Sequence, residues 1–422
     1  MAATIAQPSS VTSLALAAKS AARRLAAVDS ATKHAALLAI ADALEARLPE
    51  ILAANAHDLE AGRAAGLSTA LMDRLALDEA RVRGIADGAR AIAALPDPVG
   101  EVVDGGRLAN GLDFRKVRVP LGVIAVVYEA RPNVTIDAAA LCLKSGNAVL
   151  LRGSSSAAHS NEVLARIAGE AAIGAGLPDG ALALVAGGGR EELTELAQLE
   201  GIVDLIIPRG GEGLKKAISA VARVPVIYAA AGNCHVYVDA TADLEMATRI
   251  ILNAKVQRPG VCNAAETLLV HSSVALAFLP TALAALRERG VELRGDGRVR
   301  SVDPSVTEAV ESDWAEEFLA LILAVRVVDS VEEAIDHVNQ YGSGHSEAIV
   351  TNDRSSARAF QLGIDSACIY VNASTRFTDG GEFGMGAEIG NSTQKLHARG
   401  PIGVRELCST RYLVDGDGQI RG

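Results

Sequence analysis

Apolar residues recur at helical spacing along the first hundred positions, with polar side chains between them. This spacing predicts amphipathic helices, because it places the apolar residues on one helical face. Asp29-Ser30 precedes the second of these segments and can cap its amino end. Leu95-Pro96-Asp97-Pro98 ends the series, since proline removes a backbone donor and fixes φ. The predicted helices are residues 11–27, 31–48, 50–65, 68–75 and 78–94.

Two short apolar alternations follow, at residues 101–107 and 112–119. Asn110-Gly111 lies between them, which is a strong β-hairpin signal. A hairpin that projects from an α/β body often pairs with another subunit, and we expect this one to do so. The last apolar stretch, residues 410–414, could add a strand to a partner's sheet.

From residue 120 onwards, continuous apolar runs alternate with helical segments. Such runs are typical of strands buried on both faces of a parallel sheet. The chain is therefore predicted to be an α/β protein with a doubly wound parallel sheet and a second α/β unit that begins near Gly232-Asn233. The predicted strands of the first unit are residues 121–128, 148–151, 182–186, 202–207 and 224–229. Those of the second are residues 235–238, 267–271, 322–328, 348–351 and 368–371.

Composition and charge narrow the function classes. The chain has 422 residues, a formal net charge of −11 and no long basic run, so nucleic acid is not an expected partner. No signal-peptide pattern and no apolar run long enough for a membrane span is visible, so we expect a cytoplasmic protein. The five cysteines have no zinc-binding spacing, so neither a metal nor a disulfide framework is expected.

Two loops that follow predicted strands are suited to phosphate. Arg152-Gly153-Ser154-Ser155 offers a guanidinium, hydroxyl groups and backbone N–H groups at a helix start. Pro208-Arg209-Gly210-Gly211 offers a guanidinium and two glycines whose N–H groups a ligand can approach. Neither loop matches G-x-G-x-x-G or a Walker sequence, and ordinary turn glycines are the alternative interpretation.

A candidate nucleophile stands in the second unit. Cys262 follows Pro259-Gly260, has polar neighbours and precedes the apolar run Leu268-Leu269-Val270. A cysteine held on a turn in a polar setting is how proteins present a thiolate. The alternative is a small buried hydrophobe. That alternative is the one expected for Cys142, Cys234, Cys368 and Cys408.

Several blocks are specific in combination, namely residues 128–135 (Tyr-Glu-Ala-Arg-Pro-Asn-Val-Thr), 207–211, 257–263, 334–347, 371–377 and 392–401. With the strand opening at residues 120–124 and the stretch 144–149, they resemble the aldehyde dehydrogenase superfamily and, within it, the γ-glutamyl phosphate reductase family. The resemblance implies an oxidoreductase that uses NADPH to reduce L-glutamyl 5-phosphate to L-glutamate 5-semialdehyde and phosphate. This is the second step of proline biosynthesis from glutamate.

The resemblance also implies a division into domains. An aldehyde dehydrogenase-like chain has a doubly wound cofactor-binding domain, here residues 1–100 and 120–231 with part of 376–400. Residues 232–375 would form an α/β catalytic domain that carries Cys262. Residues 101–119 and 401–422 would form a small β element for oligomerisation, so a homo-oligomer is expected.

The same resemblance implies the catalytic residues. Cys262 would attack the acyl phosphate and carry a thioester, while Asn133 and the N–H of Cys262 hold the oxyanion. In the wider superfamily that asparagine lies nearer to the strand end, where Arg131 stands here. Hydrolytic members carry a glutamate that activates water, whereas the corresponding residues 229–233 contain no carboxylate. The thioester should therefore survive for phosphate or hydride.

NADPH/NADP is the cofactor that the resemblance implies. Superfamily members that use NAD often have a glutamate at the position of Ser155, and its absence beside Arg152 suits a 2′-phosphate. The element that holds the nicotinamide ribose matches Glu316 or Glu317 before Phe318, and the spacing favours Glu316. The implied cofactor residues are Arg152, Ser154, Ser155, Pro208, Arg209, Gly210, Gly211, Glu316, Glu317 and Phe318.

The implied substrate residues are Arg131, Arg258, Asn263, Arg376 and His345. The arginines suit either the acyl phosphate or the α-carboxylate, with surface or interdomain ion pairs as the alternative. For His345, a structural role is the alternative. The labile acyl phosphate must come from a separate protein, so glutamate 5-kinase is a candidate partner.

Two other functions remain open at this level. A CoA-dependent aldehyde dehydrogenase would share Cys262 but release CoA, and the Arg-Pro-Asn and Pro-Arg-Gly-Gly loops argue against it. A non-catalytic scaffold of the same fold is the second, and the intact Cys262 and Asn133 argue against that.

Overall fold

In the computed structural model, residues 10–186, 189–228 and 232–421 are described. The chain divides into two compact units. Unit 1 comprises Met1–Tyr228, Gly384–Gly390 and Ile402–Gly422, and unit 2 comprises Ala229–Phe383 and Asn391–Pro401. Which part binds cofactor, which carries out catalysis and which assembles the oligomer stays a prediction.

Unit 1 begins with the helices predicted from the apolar spacing. They are α1 (Val11–Leu25), α2 (Ser30–Ala46), α3 (Leu48–Ala64), α4 (Thr69–Leu75) and α5 (Glu79–Ala94). Asp29 caps α2 by accepting a hydrogen bond from the backbone N–H of Thr32, which confirms the predicted cap. The helices bury their apolar stripe, for example Leu25, Leu37 and Leu44.

After these helices, unit 1 contains the predicted hairpin and then a four-stranded parallel sheet with its helices. The elements are β1 (Val102–Arg107), β2 (Asp113–Pro120), β3 (Val123–Tyr128), α6 (Asn133–Lys144), β4 (Ala148–Arg152), α7 (Ala158–Gly174), β5 (Leu182–Leu184), α8 (Arg190–Gln198), β6 (Leu205–Arg209) and α9 (Glu212–Ser219). The sheet has the order β5-β4-β3-β6 and is parallel throughout. Every residue of β3 and β4 is buried, as expected where helices cover both faces.

The predicted strand at residues 224–229 is wrong over its described part, up to residue 228. Val226 makes an isolated parallel bridge with Ile206. Two backbone hydrogen bonds accompany it, from Ile206 N to Pro225 O and from Ile227 N to Ile206 O. Proline has no N–H to donate, so Pro225 prevents a longer ladder.

The predicted hairpin is confirmed, and the tail strand adds to it within the same chain, which was not expected from the sequence. Strands β1 and β2 pair antiparallel. The tail strand β16 (Cys408–Asp415) pairs antiparallel with β2 of the same chain, from Cys408 opposite Pro120 to Asp415 opposite Asp113. The tail therefore completes a three-stranded sheet of order β1-β2-β16 within its own unit.

Unit 2 contains a larger parallel sheet. Its elements are β7 (Cys234–Val238), α10 (Leu244–Val256), β8 (Ala265–His271), α11 (Ser272–Glu288), β9 (Glu292–Gly295), α12 (Gly297–Val302), β10 (Thr307–Glu308), β11 (Ile322–Val328), α13 (Val331–Tyr341), β12 (Ser346–Val350), α14 (Arg354–Gly363), β13 (Cys368–Val371), β14 (Asn391–Ser392) and β15 (Gly400–Pro401). The seven-stranded order is β10-β9-β11-β8-β7-β12-β13. The five strands predicted here are confirmed, whereas the short elements β9, α12 and β10 were missed.

Within the described residues, no helix combines the length and the apolar character that crossing a bilayer requires.

Candidate active site

Cys262 lies in the turn that joins α10 to β8. The backbone N–H of Ala264 donates to Val261 O at 3.0 Å and closes this turn. Cys262 is half-buried, and the other four cysteines are buried, which confirms the core positions predicted for them. Burial raises the pKa of Cys142, Cys234 and Cys408, so these thiols stay protonated at neutral pH.

Asn263 ties the cysteine turn to the segment after β13. Its Nδ2 donates to Thr378 O at 2.9 Å and to Arg376 O at 3.3 Å. In return, Thr375 Oγ1 donates to Asn263 O at 2.8 Å. The amide predicted to bind substrate is thus engaged with backbone, and its buried position fixes the turn that presents Cys262.

Gly232 packs directly against the backbone of Cys262. A Cβ placed on Gly232 would collide with the Cys262 carbonyl, so this position requires glycine. Glu317 accepts a hydrogen bond from Gly232 N at 2.5 Å. The stretch predicted to contain no carboxylate is residues 229–233. Residues 229–231 lie outside the described residues, and at Gly232 a carboxylate from a distant segment is present.

Arg258 precedes Cys262 in the same turn, and Arg376 lies close enough to interact electrostatically with both residues. Arg376 Nε donates to Gln257 Oε1 at 3.0 Å. Burial lowers the pKa of Arg376, the charge of Arg258 lowers it further, and the Cys262 thiolate would raise it. The Arg258 side chain is exposed. A positive field beside a half-buried thiol favours the thiolate and attracts an anionic substrate.

His345 is buried beneath the turn that carries Cys262, and its side chain does not reach the protein surface. It is fully buried, with Nδ1 at 2.8 Å from Ser346 Oγ and 3.9 Å from Cys234 Sγ. Cys234 Sγ donates to Cys262 O at 3.2 Å. Burial lowers the pKa of His345 to about 4, so the ring is neutral at physiological pH. Its contacts fit the structural alternative for His345.

The predicted nicotinamide segment separates its two glutamates. Glu316 is exposed, whereas Glu317 is half-buried and bonded to Gly232. The ring of Phe318 lies under the guanidinium of Arg294, 5.1 Å from its centroid. Glu316 therefore has the more exposed carboxylate of the two, and which of them holds the ribose stays a prediction.

In unit 1 the two predicted cofactor loops lie at the carboxyl ends of neighbouring strands of the sheet. The register places Val127 opposite Arg152 and Tyr128 opposite Arg209, so the loops after β4 and β6 flank the end of β3. Gly211 N–H, at the start of α9, donates to Glu129 Oε2 at 3.1 Å. The predicted substrate residue Arg131 is exposed in the loop after β3.

The loop after Arg152 lines one side of a cavity of about 570 Å³ between β5 and α7. Ser154 and Ser155 line this cavity, and Ser155 is exposed. The guanidinium of Arg152 is turned to the loop before α8, where Nη2 donates to Gly189 O at 2.8 Å. Burial lowers the pKa of Arg152, and the charge of Glu192 opposes this effect.

Asn133 begins α6 and is held by a residue one helical turn further on. Its Nδ2 donates to Asp137 Oδ2 at 2.9 Å. Burial raises the pKa of Asp137 to about 6, and the bond from Asn133 and the charge of Arg209 oppose this rise. The sequence signal for Asp137 was its position four residues after Asn133, since such residues are neighbours on a helix.

Two further site neighbours were missed from the sequence. Lys255 and Glu266 form a buried ion pair at the two ends of the cysteine turn. As isolated residues, a lysine at the end of a helix and a glutamate at the start of a strand look like ordinary surface. Among the described residues, no group of three or more His, Cys, Asp or Glu side chains could hold a metal ion.

Known proteins resemble this chain in sequence and in fold. A model described as the aldehyde dehydrogenase family matches residues 2–299 and 285–391. The γ-glutamyl phosphate reductase of Moorella thermoacetica is 57% identical over 404 residues, covering 96% of this chain and 97% of that protein. The crystal structure of γ-glutamyl phosphate reductase from Thermotoga maritima gives a TM-score of 0.96 at 44% identity, covering 98% of this chain and 100% of that one. An engineered glycolyl-CoA reductase with bound NADP+ shares the fold at 17% identity, with a TM-score of 0.67 and 98% of each chain covered.

Proposed function

The chain belongs to the aldehyde dehydrogenase family, whose members use NAD or NADP, and we propose that it reduces L-glutamyl 5-phosphate to L-glutamate 5-semialdehyde with NADPH. It is an oxidoreductase that acts on a small molecule. The observation that carries the proposal is one half-buried cysteine flanked by Arg258 and Arg376, while the other four cysteines are buried. The relatives at 53–57% identity over 96% of the chain support the choice of substrate.

Cys262 is the nucleophile of this proposal. Its thiolate attacks the acyl carbon, the carbon–oxygen bond to phosphate breaks, and phosphate leaves with that electron pair. A thioester remains on Cys262. NADPH, when bound, supplies the hydride that reduces this thioester to the aldehyde. When the carbon–sulfur bond breaks, its electron pair returns to Cys262 and restores the thiolate.

Asn133 and the backbone N–H of Cys262 are proposed to stabilise the oxyanion. An amide nitrogen has two N–H groups, and Asp137 accepts one from Asn133. That bond fixes the amide plane and aims the second N–H. Arg131, Arg258 and Arg376 are proposed for the phosphate and the α-carboxylate of the substrate, because a guanidinium binds either anion with two hydrogen bonds.

The residues of unit 1 fit an NADP molecule. The cavity beside Ser155 is large enough for an adenosine group, and Gly153 cannot carry a side chain there without meeting Asn161. Ser155 offers a hydroxyl without negative charge, which suits a 2′-phosphate. Arg152 braces the loop through Gly189, and Arg209, Gly210 and Gly211 lie at the same end of the sheet. In unit 2, Glu316 would hold the nicotinamide ribose.

Survival of the thioester is part of the proposal. A glutamate side chain that activated water would hydrolyse the thioester, and free glutamate would be released in place of the aldehyde. The carboxylate that lies at Gly232 belongs to Glu317, and its oxygen is engaged by the Gly232 N–H. A hydrogen bond to an ionised carboxylate lowers its basicity, which favours the phosphorylating reaction over hydrolysis.

The reaction run backwards tests the function, since the forward substrate is labile. The protein is mixed with glutamate 5-semialdehyde and NADP, with and without phosphate, and absorbance of the reduced nicotinamide is followed. Phosphate-dependent reduction that disappears in Cys262→Ala is the expected result. Reduction without phosphate would mean a hydrolytic dehydrogenase, and reduction that requires CoA would mean a CoA-dependent one.

We also propose a homo-oligomer that assembles through the β1-β2-β16 sheet. Strands β1 and β16 are the two edges of this sheet, and Val102, Tyr412 and Val414 are exposed on it. Unpaired strand edges with apolar side chains favour pairing with another chain. Tyr412→Asp/Val414→Asp is expected to lower the mass measured by light scattering, and an unchanged mass would refute this assembly.

Glutamate 5-kinase is proposed as a transient partner that supplies the acyl phosphate. If a mixture of the two enzymes shows no kinetic advantage over free diffusion of the acyl phosphate, the partnership is contradicted.

A further inference from the structure

Two oppositely charged side chains close the base of the turn that carries Cys262. Lys255 lies in the last turn of α10 and Glu266 at the start of β8, on either side of the turn. Lys255 Nζ donates to Glu266 Oε2 at 2.5 Å, and both side chains are completely buried. The proposed reaction uses neither group, so the pair needs an explanation of its own.

The other oxygen of Glu266 reaches a second part of the site. Oε1 accepts a hydrogen bond from the backbone N–H of Leu319 at 3.2 Å. Leu319 has a φ of 52°, a left-handed conformation that leucine rarely adopts, so its contacts must hold it there. It directly follows Glu316-Glu317-Phe318. One carboxylate thus joins the cysteine turn to the segment proposed to hold the nicotinamide ribose.

The charges around Glu266 come from several elements. Lys255 on α10 and Glu317 after β10 act on it directly, and Glu266 in turn acts on Cys234 of β7 together with Glu347 of β12 and Cys262. Burial raises the pKa of Glu266, and Lys255 opposes the rise. Burial lowers the pKa of Lys255, and Glu266 opposes that change. The Glu266 carboxylate is therefore protonated more readily than an exposed glutamate.

We propose that Lys255 and Glu266 are positioning residues for Cys262, forming a clasp that is closed when Glu266 is ionised. The inference rests on the proposed role of Cys262 as the nucleophile. The ionised carboxylate accepts both hydrogen bonds and holds the turn at its base, with the thiol beside Arg376. When Glu266 is protonated it accepts more weakly, and the turn gains freedom. The thiol then loses part of the positive field that favours its thiolate.

A second lysine–carboxylate pair, with a buried lysine and a half-buried aspartate, provides a comparison for the clasp. In unit 1, Lys33 Nζ lies 2.5 Å from Asp97 Oδ2, and Lys33 is buried. Asp97 Oδ1 also accepts from a backbone N–H, that of Val99. Buried ion pairs contribute little net stability compared with well-packed apolar residues. The Lys33–Asp97 pair has the same construction without a cysteine turn, which makes it a matched control.

The test follows alkylation of Cys262 by iodoacetamide from about pH 5.5 to about pH 9, a range that spans the titration of thiols. Cys262→Ala measures the reaction of the other cysteines. The variants are Glu266→Gln, Lys255→Met/Glu266→Gln and the control Lys33→Met/Asp97→Asn. The double variant at the clasp removes both charges and keeps an amide oxygen for Leu319 N–H. It therefore avoids the unpaired buried lysine that could unfold the single variant.

The wild-type rate is expected to fall with decreasing pH in two steps, one from the thiol itself and one from Glu266, whose pKa burial raises above the ordinary range of a glutamate. Both Glu266 variants should lose the second step. Where Glu266 is ionised and the pH lies below the pKa of the thiol, they should react about tenfold more slowly than the wild type, because a rise of one unit in the thiol pKa reduces the thiolate tenfold. Once Glu266 is protonated the wild-type clasp is open as well, and the rates should converge. The Lys33→Met/Asp97→Asn control should keep both steps.

A wild-type pH profile in Lys255→Met/Glu266→Gln would overturn the clasp, and so would an equal loss of reactivity in the Lys33→Met/Asp97→Asn control. Alkylation requires no substrate, so the outcome is separate from the test of function. Absence of phosphate-dependent NADP reduction in the wild type would refute the proposed reaction, whereas the alkylation profiles alone decide the clasp.

Discussion

The two parallel sheets are built alike, but they carry their polar groups in different places. In unit 1, β3 is apolar from Val123 to Tyr128 and fully buried, and the candidate cofactor residues lie at the last positions of β4 and β6 and in the loops that follow. In unit 2, strands β7, β8 and β12 carry His235, Glu266 and Glu347 inside the sheet, each with 0% of its surface exposed.

Buried ionisable groups are retained where a partner offsets the loss of water. Glu347 Oε2 accepts from His235 N at 2.7 Å and lies 3.0 Å from His235 Nδ1, and Glu266 is paired with Lys255. This difference predicts which part of the molecule a substitution affects. Changes within the strands of unit 1 alter packing, whereas changes within the strands of unit 2 reach the groups behind Cys262.

The largest effect is expected at Gly232, where the backbone of unit 2 leaves no room. Gly232→Ala places a methyl group on the carbonyl of Cys262 and forces the turn to move. A displacement of about 1 Å at a reacting group lowers turnover about 100-fold. Gly297→Ala in the same unit, where a Cβ meets nothing within 4 Å, is the control and should keep normal turnover. Equal turnover in the two variants would show that Gly232 does not position Cys262.

Cofactor choice tests the loops of unit 1. Ser155→Glu adds a carboxylate to the lining of the cavity between β5 and α7. Repulsion of a 2′-phosphate is expected to lower kcat/KM for NADPH by about tenfold or more, while NADH is used better. Ser155→Ala removes the hydroxyl without adding charge and separates the two effects. An unchanged ratio of NADPH to NADH would place the 2′-phosphate elsewhere.

Most of the fold was accessible from the sequence, because apolar spacing directly reports local structure. The five helices of residues 11–94, the hairpin and the alternation of strand and helix are confirmed. The errors have physical causes. The segment around Val226 looks like a strand but contains Pro225, and β9 and β10 are short and polar strands next to each other. Pairing of β16 with β2 joins distant parts of the chain, which spacing cannot report.

Less of the candidate site than of the fold could be predicted from the sequence. Cys262 stood out because its turn and its polar neighbours are adjacent in sequence. The family resemblance is confirmed by a match to the aldehyde dehydrogenase model over most of the chain. Lys255, Glu266 and Asp137 were missed, since the meaning of each depends on a partner brought near by folding. The roles of the individual site residues stay predictions.

Acid stability distinguishes the polar interior of unit 2 from the surface. His345 has a pKa of about 4 in the folded protein and about 6.5 when unfolded, because burial disfavours its charged form. Between these values the unfolded chain binds a proton that the folded one does not, so stability falls as pH falls from 6.5 to 4. The loss is at most about 3 kcal/mol. His345→Gln should reduce it, as measured by the urea midpoint at either end of this window.

The exposed His57 of unit 1 provides the control for this experiment. His57→Gln should leave the acid loss of the wild type intact, because it leaves the buried His345 unchanged. If His345→Gln lost as much stability on acidification as the wild type, His345 would not be a source of the acid sensitivity of unit 2.

The smallest effects are expected at two helical glycines, one in each unit. Gly84 in α5 is exposed, and a Cβ there meets nothing within 4 Å, so Gly84→Ala should stabilise unit 1 by about 1 kcal/mol through helix propensity. Gly363 ends α14, where a Cβ would lie 2.9 Å from Ile335 Cδ1. Gly363→Ala gains the same propensity but must displace Ile335, so its melting temperature should fall below that of Gly84→Ala. Melting curves of the two variants decide the point: equal shifts would mean that α13 and α14 can adjust, and that the tight packing of unit 2 is confined to the surroundings of Cys262.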